Sequence, residues 1–136
     1  MKKERALKLA IYTLGILAVV DLIRGLLHTF LIMYASEHIA QMTQTPDTLM
    51  LMTAFGVANI LSGATYILVI KKAKELVPYL LILIPLTYLI GFISMNVTGI
   101  SALQTSAWNG QYMLMVYMTV STLAGLNYFI VSYSKK

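Results

Sequence analysis

The sequence contains no cysteine. A disulfide, a thiol nucleophile and a cysteine-ligated metal centre are therefore excluded. Charge is also scarce: only 11% of residues are charged, and the acids number five. A soluble domain carries about 25% charged residues to cover its surface. Nor are carboxylates and imidazoles gathered as a metal site requires. Haem held between two histidines fails on spacing, because His38 follows His28 by ten residues, about 15 Å along a helix. No phosphate-cradling glycine loop, nucleophile elbow or zinc-protease signature occurs. No cofactor is expected, and no internal repeat or low-complexity segment divides the chain.

What the chain has instead is apolar residues, 59% of the total, at a mean hydropathy of +0.79. They fall into four long runs, about 7–34, 49–70, 77–95 and 110–133. A helix needs ~20 apolar residues to cross a ~30 Å hydrocarbon layer. Barrel strands would be about half that length and would alternate. The expected fold is all-α: a single integral membrane domain, a bundle of four transmembrane helices whose immediate partner is the lipid bilayer.

Charge placement predicts the orientation. Lys2, Lys3, Arg5 and Lys8 precede the first run, Lys71, Lys72 and Lys74 separate the second from the third, and Lys135 and Lys136 close the chain. The other two connections hold Glu37, His38 and Asp47 and no Lys or Arg. Nine of the ten basic residues thus lie on one side, the tenth being Arg24. The positive-inside rule then places both termini in the cytoplasm of a multi-pass cell-membrane protein. This anchoring accounts for the net charge of +5 without a nucleic-acid partner. The first run is too long for a cleaved signal peptide, and no small-residue cleavage site follows it, so it reads as a retained helix.

Local chemistry marks the boundaries. Thr45-Pro46-Asp47 reads as a helix start, with Thr45 as cap and Asp47 near the positive end of the dipole. The first helix is expected to extend toward SEHIAQMTQ. KKAKELVP is a tight basic turn, which makes the second and third helices antiparallel neighbours. Pro85 removes a backbone donor inside the third helix and is expected to kink it. Asn96-Val97-Thr98 matches a glycosylation triplet but lies too close to the bilayer to count as more than chance. Trp108 and Tyr112 suit an interfacial aromatic belt.

One stretch breaks the apolar pattern: AVVDLIRGLLHTF, residues 18–30. At 100° per residue, Arg24 lies about 60° and His28 about 20° from Asp21, so all three share one stripe of the first helix. A charge at mid-bilayer costs about 2.5–3.5 kcal/mol on insertion scales, so the stripe should face the bundle interior or a wet cavity. Asp21 and Arg24, three residues apart, are expected to pair. Gly25 beside them allows close approach of another helix. On the second helix Gly56, Asn59, Gly63 and Tyr66 share a face suited to that approach. Thr87 with Gly91, and Ser121 with Gly125, form small-residue pairs expected to pack. The nine methionines, clustered in MTQTPDTLMLM and YMLMVYM, are expected in ordinary core and lipid contacts.

Candidate ligand- or ion-binding residues are therefore Asp21, Arg24, His28, Asn59 and Tyr66. Three functions remain open. The favoured one is binding or transport of a small molecule, ion or lipid head group at this polar site. Four helices are few for a pore, so transport would call for a homo-oligomer. The second is a structural or accessory subunit in which the pair serves packing. The third is a membrane enzyme on a lipid-soluble substrate, with Asp21 or His28 in acid–base work; no catalytic pairing supports it. The ligand is not legible.

Overall fold

A computed structural model describes residues 2–99 and 110–134. Four long helices dominate: α1 (Lys2–Phe30), α2 (Pro46–Lys72), α3 (Val77–Val97) and α4 (Gly110–Tyr133). Each is long and apolar enough to cross a membrane. Among the described residues there is no strand.

The first helix is shorter at its far end than its apolar run. It stops at Phe30, and Leu31 leaves helical geometry at φ −117°, ψ 35°. One turn earlier the Thr29 hydroxyl donates to the Gly25 carbonyl at 2.8 Å, a back-bond that favours bending. The chain then makes one turn, Ile32–Tyr34, and a wide π-type turn, Ala35–Ala40, ended by Gln41 in the left-handed region at φ 51°. Gln44 fastens this segment by donating from Nε2 to Ser36 Oγ at 3.0 Å.

The start of α2 follows from its cap. Thr45 is extended, its side chain accepts from the Thr48 amide, and the Thr48 hydroxyl accepts from the Thr45 amide. With Pro46 in the first turn, the helix begins three residues before the apolar run does. A short 3-10 turn, Lys74–Leu76, leads to α3. Helix α3 is continuous from Val77 through Pro85 to Val97. Trp108 and most of the preceding loop lie outside the described residues, and Tyr112 is exposed.

The helices run alternately up and down. Along α1 and α2, Gly15 lies opposite Ile70, Gly63 opposite Ala18 and Leu22, and Gly56 opposite His28, which is an antiparallel register. Tyr79 meets Phe129 and Tyr88 meets Tyr117, so α3 and α4 are also antiparallel. Helix α1 is the hub, touching all three others, while α2 packs mainly on α1. Glycine is what lets α2 come close. A Cβ added at Gly63 would lie 2.8 Å from the Ala18 carbonyl oxygen, and one at Gly25 would lie 2.8 Å from that of Gly56. Gly125 likewise seats Ile82, and Ser121 beside it is fully buried. The Thr87–Gly91 pair does not pack: nothing lies within 4 Å of a Cβ at Gly91.

The main core joins Leu14 and Leu17 of α1, Val77, Leu81 and Ile84 of α3, and Tyr117 and Ala124 of α4. A smaller cluster, Ala35, Ala40 and Met52, closes the other end against Leu27, Ile32 and Met42. Outside, apolar side chains predominate: Ile16, Leu61, Ile90 and Ile130 are each at least 65% exposed. In water such a surface would be a large exposed apolar patch.

Candidate functional site

Asp21 is buried on α1, and its Oδ2 accepts a hydrogen bond of 2.8 Å from the Tyr117 hydroxyl of α4. Tyr88 of α3 sets its edge against the Tyr117 ring, with centroids 6.2 Å apart. Tyr66 of α2 packs on the same cluster beside Tyr117. The carboxyl is thus held where α1 and α4 meet, among tyrosines from the other helices.

The expected Asp21–Arg24 pair does not form. Among the described residues the ion pairs within 4.0 Å are Lys8–Glu4 and His38–Glu37, both exposed. The reason is competition and geometry. Tyr117 gives the Asp21 carboxyl a donor inside the bundle, and the turn between the two residues swings Arg24 toward α2. There its guanidinium carbon stands 5.3 Å from the centroid of the Phe55 ring. Phe55 also stacks on His28, with centroids 5.6 Å apart and planes 30° apart. One aromatic ring thus bears on both cationic-type side chains of the stripe. Contact of Arg with an aromatic face is worth about 0.5–2 kcal/mol, depending on desolvation.

Beside this trio is a cavity of about 670 Å³, within the ~300–1,000 Å³ typical of small-molecule sites. Arg24, Leu27 and His28 of α1 and Thr48, Met52 and Phe55 of α2 form its walls. Ile39, Ala40 and Met42, from the segment after the α1 bend, lie over it, and Met113 of α4 closes one side. The bend at Leu31 therefore has a consequence: it returns the chain across the gap between α1 and α2. Several wall residues, Ile23, Leu51 and Met113 among them, are substantially exposed, so the cavity is not sealed by the described residues.

Among the described residues three side-chain nitrogens are buried without a hydrogen-bond partner: Arg24 Nη1, His28 Nδ1 and Asn59 Nδ2. An unsatisfied buried donor costs about 1–3 kcal/mol, more for a charged group. Two of these three belong to cavity-lining residues.

The five residues singled out from sequence therefore divide. Arg24 and His28 line the cavity. Asp21 and Tyr66 belong to the tyrosine cluster inside the bundle. Asn59 is buried between Gly56 and Gly63 on the α1-facing side of α2 and is not in the wall of this cavity. Sequence reasoning did not find Tyr117 or Phe55, although each is a single aromatic at the depth of the polar stripe. Three methionines, Met42, Met52 and Met113, line the cavity, and the first two also belong to the smaller core cluster. Compared with known protein families, curated proteins and solved structures, the chain matches none.

Proposed function

We propose that this chain is a multi-pass membrane protein, with both termini cytoplasmic, that binds a small apolar or amphiphilic molecule between α1 and α2. The observation that carries the reading is the open, largely apolar cavity with the side chains of Arg24 and His28 in its wall. Its methionine-rich lining suits a ligand whose shape is met by flexible side chains. The mouth is apolar, so the ligand enters from the hydrocarbon layer. Orientation follows from the nine basic residues gathered at one end of the bundle.

A second role is favoured for Asp21. Its bond to Tyr117 ties α1 to α4, which makes it a structural fastening. The polar stripe then serves two purposes, fastening at Asp21 and ligand contact at Arg24 and His28.

The test is equilibrium binding of a lipophilic fluorescent probe to the purified chain in uncharged detergent. Val20 lines the cavity and is half-buried, so Val20→Trp fills space that a ligand needs. Saturable binding that falls at least tenfold in this variant, with an unchanged size-exclusion profile, supports the proposal. Binding indifferent to the substitution contradicts it.

A further inference from the structure

We infer that the occupant of the α1–α2 cavity is a single-chain amphiphile with a carboxylate head, its head on Arg24 and His28 and its tail against the methionines. This rests on the binding reading above and adds the chemical class of the ligand.

Charge complementarity is the first argument. Among the residues lining the cavity there is no Asp or Glu. Its polar side chains are Arg24, His28 and Thr48. The carboxyl of Asp21, one turn from Arg24 on α1, is not in the lining and is engaged by Tyr117. The cavity thus presents a permanent guanidinium cation and an imidazole to an apolar space, with no acid among the described residues of its wall. A cationic or neutral head group would leave that charge uncompensated.

Geometry is the second argument. Arg24 and His28 are four residues apart on one helix, which brings their Cβ atoms within about 5–6 Å. Phe55 bears on both and holds them on the same side. Both side chains belong to the cavity wall. A carboxylate has two oxygens and about four acceptor positions, enough to take an N–H from each side chain at once, and Arg matches it particularly well.

Size is the third argument. One water occupies about 30 Å³ of the liquid. At that allowance, the cavity's 670 Å³ holds about 20 non-hydrogen atoms. One acyl chain with a small head is of this size.

The experiment is competition binding to the purified full chain in dodecyl maltoside, with tritiated hexadecanoate as the probe. Unlabelled hexadecanoate, hexadecanol and hexadecyltrimethylammonium are the competitors. Hexadecanoate is expected to displace the probe at a concentration at least tenfold lower than hexadecanol, with the cation weakest. Arg24→Gln is expected to erase the difference between acid and alcohol. The comparison of acid with alcohol on the parent chain needs no variant, so it decides the question even where Arg24→Gln fails to fold. Equal displacement by acid and alcohol, or preference for the cation, overturns the carboxylate assignment while leaving the cavity in use. Absence of saturable binding by all three overturns the binding reading itself.

Discussion

Tyr117 and Asp21 are separated by 96 residues in the chain, yet the tyrosine hydroxyl donates to the carboxyl at 2.8 Å inside the bundle. Both side chains are at least 95% buried. The bond joins the first long helix to the last. Arg24, one turn on, stands instead over the Phe55 ring and lines the cavity.

Removing the donor should therefore be costly. Tyr117→Phe leaves the carboxyl buried without its partner, and a hydrogen bond to a charged group is worth about 1.5–3 kcal/mol. A fall in thermal midpoint in detergent is expected. In an Asp21→Leu background the same substitution should have much less effect, because the group it strands is gone. A double-mutant cycle of thermal stabilities measures this coupling. Additive effects would mean that the bond does not form.

The α1–α2 contact makes a second prediction. Gly63→Ala places a methyl 2.8 Å from the Ala18 carbonyl oxygen and from Leu22 Cγ. Overpacking of this kind destabilises by about 1–3 kcal/mol. Gly91→Ala meets open space on α3 and gains up to about 1 kcal/mol of helix propensity. Thermal midpoints of the two variants should move in opposite directions. Equal shifts would show that close approach at Gly63 is not what holds α2 to α1.

The helices were legible in the sequence because their signals are local. Four apolar runs of sufficient length, a Thr-Pro-Asp cap and a short basic turn each act within a few residues. The end of α1 was less so, since Ile32 to Tyr34 continue the apolar run and the bend involves Thr29 and the packing of the following segment. The site was legible in part. Helical periodicity placed Asp21, Arg24 and His28 on one stripe, and spacing suggested that the first two would pair. Periodicity within one helix says nothing of which neighbour supplies a better partner. Tyr117 is one of nine tyrosines, and its relation to Asp21 exists only once α4 is packed on α1. The cavity was illegible for the same reason: it is a gap formed by a returning segment, and no residue type records a gap.

Orientation gives a third prediction. Single cysteines can be placed freely in a chain that has none. Lys72→Cys lies at the basic end, and Thr43→Cys lies on the exposed connection at the other. In intact cells an impermeant maleimide should label position 43, and label position 72 only after lysis. The reverse pattern would invert the proposed topology.

The most direct test of the central claim, that the α1–α2 cavity is an occupied binding site, is photo-crosslinking with a diazirine-bearing hexadecanoate in lipid nanodiscs, mapped by peptide mass spectrometry. The account predicts adducts concentrated on Met52, Phe55 and Met113, suppressed by excess hexadecanoate and by Val20→Trp. Adducts spread evenly over exposed apolar positions such as Ile16, Leu61 and Ile130, and insensitive to competitor, would contradict it.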